Sequence, residues 1–221
     1  MTKTYGSKQA LDGISMHIRN GVIIGLLGPN GCGKSTLFNI MAGIARPTAG
    51  RILFQGQSLS VRDKSRIAYL ADQDYLYGWM TVQQVIEFYS SFYSDWKTER
   101  TGVLLRNFEL KPSEIVSHLS KGMKARLKLL LVLARKAPLV LLDEPFSGID
   151  PISKSKMISS ILDEFVLGQQ TILLSTHEMA EEESLFDEII MMHQGKIVFH
   201  EETEDVRSRC GGALHKLWKE V

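Results

Sequence analysis

A glycine-rich loop between an apolar run and a helical segment constrains this chain more than any other feature. Residues 28–35 read Gly-Pro-Asn-Gly-Cys-Gly-Lys-Ser, which fits the pattern G-x-x-x-x-G-K-[ST]. The β-branched run before them, residues 22–27, predicts a buried strand, and residues 35–42 carry helical spacing. Strand, glycine loop and helix in this order predict a phosphate-binding loop, because backbone N–H groups and a helix N-terminus then converge on one anion.

The side chains of this loop predict a nucleotide with a metal ion. Lys34 is placed to reach the β- and γ-phosphates, and the Ser35 hydroxyl suits Mg²⁺. Cys32 lies near a helix N-terminus, where the pKa of a thiol can fall, so alkylation there is one hypothetical way to block binding. The plainer alternative is that Cys32 only fills space. We predict nucleotide contacts from Gly28, Pro29, Asn30, Gly31, Cys32, Gly33, Lys34, Ser35 and Thr36.

A second apolar run delivers two adjacent carboxylates. Residues 139–142 predict a buried strand, and Asp143 and Glu144 follow it directly. Asp143 suits Mg²⁺, either directly or through water, and Glu144 is placed to polarise an attacking water molecule. Acidic pairs after strands are common, so this pair alone indicates only a solvated strand end. Together with the glycine loop it predicts hydrolysis of a nucleotide.

The composition bears on three questions: whether the chain binds nucleic acid, whether it contains a disulfide and whether it spans a membrane. The chain has 221 residues, with 26 basic and 25 acidic side chains, and this balance gives no nucleic-acid footprint. Two cysteines, Cys32 and Cys210, favour a reducing cytoplasm over a disulfide, which would block the loop. The longest apolar runs, residues 129–134 and 139–142, are far shorter than the roughly 20 residues that span a bilayer. We therefore expect a soluble chain.

The middle of the chain changes to helical periodicity. Thr81 and Gln84 predict a capping box, and residues 98–110 and 121–136 predict two more helices. In the helix that begins after Thr81, the spacing predicts one apolar face made of Val82, Val85, Ile86, Tyr89 and Phe92. We predict one α/β domain over residues 1–221, with a core of residues 1–74 and 138–221. Its sheet is mostly parallel, and a helical subdomain of about 75–137 is inserted in it.

With these motifs in place, the chain resembles the nucleotide-binding domain of an ABC transporter over nearly its whole length. The glycine loop matches the Walker A motif, and the carboxylate pair matches Walker B. The family's other motifs follow in order: Tyr5 for the adenine-stacking aromatic, Gln73 for the Q-loop, residues 119–123 (LSKGM) for the signature, residues 147–150 (SGID) for the D-loop and His177 for the switch histidine. The resemblance implies the ABC ATPase fold: a P-loop NTPase core, an antiparallel β portion and an inserted helical lobe.

The resemblance also implies roles. Gln73 would join Ser35 and Asp143 around Mg²⁺, Glu144 would act as the base, and His177 would steady the γ-phosphate. Taken singly, Gln73, His177 and Tyr5 could be an ordinary loop residue, a strand-end histidine and a surface tyrosine. Their joint order and spacing favour the functional interpretation.

The signature implies a partner cassette. Ser120, Lys121 and Gly122 would face ATP bound by a second copy, identical or not, in a head-to-tail dimer. The family's usual Leu-Ser-Gly-Gly-Gln is here Leu-Ser-Lys-Gly-Met. Met123 lacks the glutamine amide, and Lys121 adds a cation either beside the phosphates or simply at the surface. Such variants resemble the ATPases of bacterial exporters for drugs and antimicrobial peptides.

We therefore expect an ATP-hydrolysing cassette that powers export rather than import, held at the inner face of the plasma membrane by a transmembrane permease. Exposed aromatic residues, Tyr75, Tyr77 and Trp79, are the expected docking site, whereas the helical stripe is explained mainly by core packing. The alternative is a non-transport ABC ATPase acting on nucleic acid or ribosomes. It is disfavoured because the chain has one cassette, no heptad arm and no basic tract. A P-loop kinase would have no use for the signature or for His177.

Overall fold

A six-stranded sheet forms the centre of the computed structural model, which describes residues 1–165, 169–177 and 182–209. The strands are β1 (Lys3–Tyr5), β2 (Lys8–Leu11), β3 (Ile23–Leu27), β4 (Leu53–Phe54), β5 (Gln57–Ser58), β6 (Ile67–Leu70), β7 (Leu139–Asp143), β8 (Thr171–Thr176), β9 (Glu188–His193) and β10 (Lys196–Glu202). The helices are α1 (Lys34–Met41), α2 (Val82–Ser90), α3 (Thr98–Asn107), α4 (Lys121–Leu133), α5 (Pro151–Glu164) and α6 (Thr203–Arg209).

The central sheet has the order β10-β9-β3-β8-β7-β6, in which only β10 runs antiparallel to its neighbour. Every residue of β3, β7 and β8 is buried, as expected for parallel strands covered on both faces. Successive side chains of β3 enter different cores: Ile23 and Leu27 lie in one hydrophobic cluster, and Ile24 and Leu26 in another. The sheet is therefore the rigid layer between two cores.

The antiparallel portion consists of two small sheets, β1 with β2 and β4 with β5. Together with the mostly parallel centre and several helices, they confirm the predicted fold class. The division into a core and a helical subdomain remains a prediction.

Helices α2, α3 and α4 lie between β6 and β7 in the chain. The predicted capping box is present: Thr81 Oγ1 accepts from Gln84 N–H, and Gln84 Oε1 accepts from Thr81 N–H. The predicted helix over residues 121–136 is too long, since α4 ends at Leu133. The residues after Leu133 instead form hydrogen bonds with the segment before α3. Lys97 N–H donates to Ala134 O (2.8 Å), and Lys136 N–H donates to Asp95 O (3.0 Å).

The predicted apolar face of α2 is buried at its start but not at its aromatic end. Val82, Val85 and Ile86 are buried, but Phe92 lies beyond the end of α2 and is 64% exposed, so core packing does not explain it. Four side chains, Tyr77, Trp79, Phe88 and Phe92, form what we call the exposed aromatic surface, with ring centroids 5.0–6.0 Å apart in successive pairs. Tyr75 is partly buried beside Tyr89 and does not belong to it.

Other boundaries shift near the C-terminus. The sequence pattern of residues 152–166 predicts a helix, which corresponds to α5 (Pro151–Glu164); Val166 lies outside the described residues. The sequence also predicts a short helix after the run of residues 171–175. That segment falls partly on residues 178–181, which lie outside the described residues too, and a 3₁₀ turn follows at Glu183–Leu185. Helix α6 was missed, and residues 210–221, with Cys210, are not described. Among the described residues no helix is both long and apolar enough to cross a membrane.

Candidate functional site

Four neighbouring strands bring the predicted residues to one edge of the sheet. Strands β6, β7, β8 and β3 are parallel, so their carboxyl ends lie together. Asp143 is in register with Ser175, and Leu27, the residue before the glycine loop, is in register with Thr176. Ligands of open α/β sheets bind beyond this edge.

The glycine loop requires glycine where the backbone turns. Gly33 has φ +113° and precedes α1, and a Cβ there would lie 2.6 Å from Ala10 O. A Cβ on Gly28 would collide with the carbonyl oxygen of Met192 and lie 2.6 Å from Cys32 Sγ. These contacts hold the loop against β9 and the antiparallel portion, so its shape is set by packing.

Lys34, the first residue of α1, is buried at the centre of the site with 5% of its surface exposed. Its ammonium donates to Gly28 O (2.7 Å) and Pro29 O (3.4 Å). Its Nζ also lies 3.2 Å from Glu144 Oε1, an ion pair without hydrogen-bond geometry. A buried cation is therefore fixed between the glycine loop and the end of β7.

Asp143 ends β7 with 1% of its surface exposed. Its Oδ1 accepts from Ser175 Oγ (2.6 Å), and Tyr69 Oη donates to Oδ2 (3.4 Å). Burial raises the pKa of Asp143, against the effect of hydrogen bonds from Ser175 and Ser35. A carboxylate and a hydroxyl in mutual contact are oxygen ligands of the kind Mg²⁺ prefers, so Asp143 and Ser35 fit that ion.

Glu144 lies between Lys34 and His177. Its Oε2 is 2.7 Å from His177 Nδ1, and its backbone N–H donates to Ser175 O (3.2 Å) and Ser175 Oγ (3.0 Å). The backbone of Glu144 has φ +49°, the left-handed region that non-glycine residues rarely occupy, which points its side chain back over the sheet edge. The carboxylate is thus held by a cation on one side and an imidazole on the other, a position suited to a general base.

Cys32 behaves differently from the hypothesis of a reactive thiol. It is buried, and burial raises the pKa of its thiol more than neighbouring Lys34 lowers it. The expectation of a lowered pKa was wrong, because the thiol is buried beneath Gly28, and burial outweighs the lowering effect of Lys34 and of its backbone N–H at the start of α1. The geometry favours the space-filling alternative.

Two predicted residues lie outside this hydrogen-bonded group. Gln73 is exposed in the loop after β6, and its side chain makes no hydrogen bond within the part of the chain that the structure describes. Tyr5 is 50% exposed on β1, with the Lys3 ammonium 4.6 Å from its ring centroid. Their proposed contacts with metal and adenine remain predictions.

The signature residues lie at the start of α4. Ser120 is the N-cap, and its Oγ accepts from Met123 N–H (3.2 Å). Met123 packs against the main hydrophobic cluster, which explains why an apolar side chain is accepted there. Lys121 is exposed, but its ammonium lies across Gly148, only 2.5 Å from where a Cβ would be. The variant lysine therefore connects the signature to the segment of residues 147–150.

Ser175 and Tyr69 were not predicted from the sequence. Ser175 is the first polar residue after four apolar or β-branched ones in β8, and its register opposite Asp143 gives it its role. The sequence did offer one signal for Ser175. It is a polar residue one position before the end of a strand, and that strand neighbours the one that ends at Asp143. Tyr69 is the one partly buried residue of β6, whose other three residues are buried, and the sequence offered no comparable signal for it.

A glycine loop that joins the buried strand β3 to a helix, with a carboxylate pair at the end of the parallel strand β7 two places along the sheet, defines a P-loop NTPase. The family model described as "ABC transporter" matches residues 11–147. The chain belongs to the ABC transporter family, as an ATP-binding subunit.

The chain is similar in sequence to ATP-binding proteins named for different transported substrates. The lantibiotic transport ATP-binding protein SrtF of Streptococcus pyogenes is 32% identical over 206 residues, which cover 91% of this chain and 88% of SrtF. The probable multidrug ABC transporter ATP-binding protein YbhF of Escherichia coli (strain K12) is 33% identical over 220 residues, 95% of this chain but 37% of YbhF. The probable sulfate/thiosulfate import ATP-binding protein CysA of Chlorella vulgaris is 32% identical over 206 residues, 90% of this chain and 87% of CysA.

Solved structures share the fold. The ATP-binding subunit of an ABC transporter superposes with a TM-score of 0.87 at 26% identity, covering 99% of this chain and 95% of that one. The ATP-binding cassette MJ0796, dimeric and bound to ADP and Pi, superposes with a TM-score of 0.80 at 23% identity, covering 91% and 96% of the two chains.

Proposed function

We propose that this chain hydrolyses MgATP at the edge of its central sheet and thereby powers export through a membrane permease. The observation that carries the proposal is the contact of Glu144 with both Lys34 (3.2 Å) and His177 (2.7 Å) at the ends of parallel strands. A carboxylate held between a phosphate-binding cation and an imidazole suits attack by water on a terminal phosphate.

The glycine loop and Lys34 bind the phosphates in this proposal. Its glycines and Pro29, Asn30, Cys32 and Thr36 surround the phosphates, and Tyr5 stacks on adenine. Mg²⁺, held by Ser35, Asp143 and Gln73, would neutralise charge on the phosphates. Glu144 accepts the proton of the attacking water, and His177, which contacts that carboxylate through Nδ1, steadies the γ-phosphate.

A second cassette completes the site. Ser120 and Gly122 open α4, whose N-terminus favours an anion, and Lys121 adds a cation beside them. We propose that these residues bind the γ-phosphate of ATP held by the second cassette, identical or not, in a head-to-tail dimer. The MJ0796 cassette, which shares this fold, is dimeric, and this supports a dimer for the present chain.

The direction of transport rests on the signature variant. Relatives named for lantibiotic and multidrug transport and a relative named for sulfate import are about equally similar to this chain, so identity does not separate them. Lys121 and Met123, which resemble exporter signatures, favour export. The exposed aromatic surface is the proposed docking site for the permease, which would hold the chain peripherally at the inner face of the membrane.

The test is the solution mass of the Glu144→Gln protein, measured by light scattering with and without MgATP. The substitution keeps the side chain's size but removes the base, so binding should persist while hydrolysis stops. A doubling of mass that depends on nucleotide supports the shared site. If ATP is demonstrably bound and the protein remains a monomer, the identical-copy dimer is wrong.

A further inference from the structure

Two lysines of α4 hold the loop that carries Gln73. Lys128 Nζ donates to Gln73 O (3.2 Å) and Asp72 O (3.4 Å), and Lys124 Nζ lies 3.5 Å from Asp74 Oδ2. The two lysines are four residues apart, so their side chains leave the same face of the helix. Three consecutive loop residues are therefore contacted by one turn of α4.

This loop has few other polar anchors. Over the described chain, Lys124 and Lys128 supply the hydrogen bonds and ion pairs that join residues 72–74 to any other element. The remaining bond, Leu76 N–H to Asp74 Oδ1 (3.3 Å), is local. Lys128 also lies 5.6 Å from the Tyr75 ring centroid. The position of the Gln73 backbone therefore depends largely on Lys128.

Lys128 is a half-buried donor whose hydrogen bonds reach two exposed loop residues. It is partly buried, and burial lowers the pKa of its ammonium, whereas the nearby carboxylates of Asp74 and Asp72 raise it. Two carbonyl oxygens would lose a charged donor if this side chain were shortened. A hydrogen bond from a charged group is among the stronger ones in proteins.

Helix α4 also carries the signature at its N-terminus. Ser120 caps the helix, and Lys128 follows eight residues later, about 12 Å along a rigid rod. One element thus presents Ser120 toward the proposed second cassette and Lys128 toward the chain's own Gln73. A displacement of α4 would be passed to the Gln73 loop through these contacts.

We propose that Lys128, assisted by Lys124, is a positioning residue that fixes Gln73 for its Mg²⁺ contact and links it to α4. The proposal rests on the proposed function, since it presupposes a MgATP site that includes Gln73. Lys128 itself touches neither nucleotide nor metal in this account. It acts through the backbone of Gln73.

The experiment is an equilibrium titration of Mg²⁺ at fixed fluorescent mant-AMPPNP, a hydrolysis-resistant nucleotide, with the full chain. Lys128→Met keeps the aliphatic stem and removes the donor. We expect the half-saturating Mg²⁺ concentration to rise about tenfold, as for the loss of one charge-assisted hydrogen bond, with metal-free nucleotide affinity unchanged. Lys128→Arg should restore the wild-type value within about twofold. Lys124→Met should change it by about twofold, because its contact is a single ion pair, 3.5 Å long, with the exposed carboxylate of Asp74.

A double-mutant cycle with Gln73→Ala separates positioning from a general structural effect. If Lys128 acts through Gln73, adding Lys128→Met to Gln73→Ala changes nothing further. The matched control is Lys156→Met, which removes the ion pair of Lys156 Nζ with Glu109 Oε1 (2.6 Å) on another helix and should leave the titration unchanged. If Lys128→Met does not fold, Lys128→Leu, which also removes the donor, carries the same comparison.

Additive effects in the cycle would overturn the positioning role, as would a normal Mg²⁺ titration for Lys128→Met. A normal titration for Gln73→Ala would overturn it too, since there would be nothing to position. In each of these cases wild-type MgATP binding would still support the proposed function. Failure of the wild-type chain to bind the nucleotide at all would instead refute that function.

Discussion

The carboxyl edge of the central sheet and the helices between β6 and β7 hold their functional residues in different ways. At the sheet edge, Lys34 and Asp143 are buried, and strand register fixes their partners. In the helical region, Ser120 and Gln73 are exposed and depend on a helix cap and on lysine side chains. The first arrangement is built for a fixed geometry, and the second leaves residues accessible to a partner and able to move with a helix.

The largest effect should come from the buried cation. Lys34→Met removes the charge beside the phosphates and leaves Glu144 without its ion pair. We expect ATP hydrolysis to fall about 10³-fold, the size of effect seen when a preorganised charge-stabilising donor is removed. Phosphate release measures it. Lys136→Met, at an exposed lysine after α4, is the control, and a loss below tenfold for Lys34→Met would contradict the central role of this side chain.

Two of the capped helices, α2 and α4, offer a matched pair. Ser120→Ala and Thr81→Ala each remove a side-chain cap that accepts from a backbone N–H, so each should cost about 1 kcal/mol of stability. Only Ser120→Ala should also reduce hydrolysis, by about tenfold, because only Ser120 is proposed to contact ATP of the second cassette. Urea unfolding and phosphate release measure the two effects. Equal hydrolysis by both variants would refute the role of Ser120 in the partner's site.

The buried carboxylate predicts a pH-dependent difference in stability. Burial raises the folded-state pKa of Asp143 above its usual 3.8, so the folded chain binds this proton more tightly than the unfolded chain. Protonated Asp143 therefore stabilises the folded chain at pH values below its usual pKa of 3.8. This stabilisation is lost as the pH rises through the raised pKa of the folded state. Asp143→Asn cannot titrate, so without nucleotide its stability relative to that of the wild type should rise as the pH increases from acid to neutral.

Urea unfolding between about pH 4 and about pH 7 measures this difference. Ser175→Ala is the companion variant, since it removes the 2.6 Å hydrogen bond that opposes the effect of burial. Parallel pH profiles for Asp143→Asn and the wild type would contradict the assignment.

The smallest effect is expected on the exposed aromatic surface. Phe92 is largely exposed and meets one ring, whereas Phe88 meets Tyr77, Tyr89 and Phe92. Phe92→Ala should cost at most about 0.5 kcal/mol and Phe88→Ala about 1–2 kcal/mol, in thermal or urea unfolding. A cost above 2 kcal/mol for Phe92→Ala would show that this surface contributes to the fold and is not free for a permease.

The sequence predicts best what depends on neighbours along the chain. The apolar runs of β3 and β7 and the capping box of α2 are local signals, and the structure confirms them. The gathering of Lys34, Asp143, Glu144 and His177 at one edge follows from a single further rule, that parallel strands end on the same side. Their catalytic roles remain predictions.

What escaped the sequence depends on tertiary register. Ser175 contacts Asp143 only because β7 and β8 align at that step, and Lys128 reaches Gln73 only because α4 lies beneath the loop. The direction of the Cys32 pKa reversed because proximity to a helix start is visible in sequence, whereas burial is not. The length of the α2 stripe was overestimated for a similar reason: periodicity does not show where a helix stops.

The left-handed backbone at Glu144 limits which residues natural variation can place there. A φ of +49° is tolerated best by glycine, asparagine and aspartate. Glycine has no side chain, asparagine has no carboxylate and aspartate is one methylene shorter, so none of them can span the same distance to His177 as a base. At this position, the residues that would relieve backbone strain therefore differ from the residue that would retain hydrolysis. A lineage that no longer needed the activity would be free to replace Glu144 and become a less strained, inactive cassette.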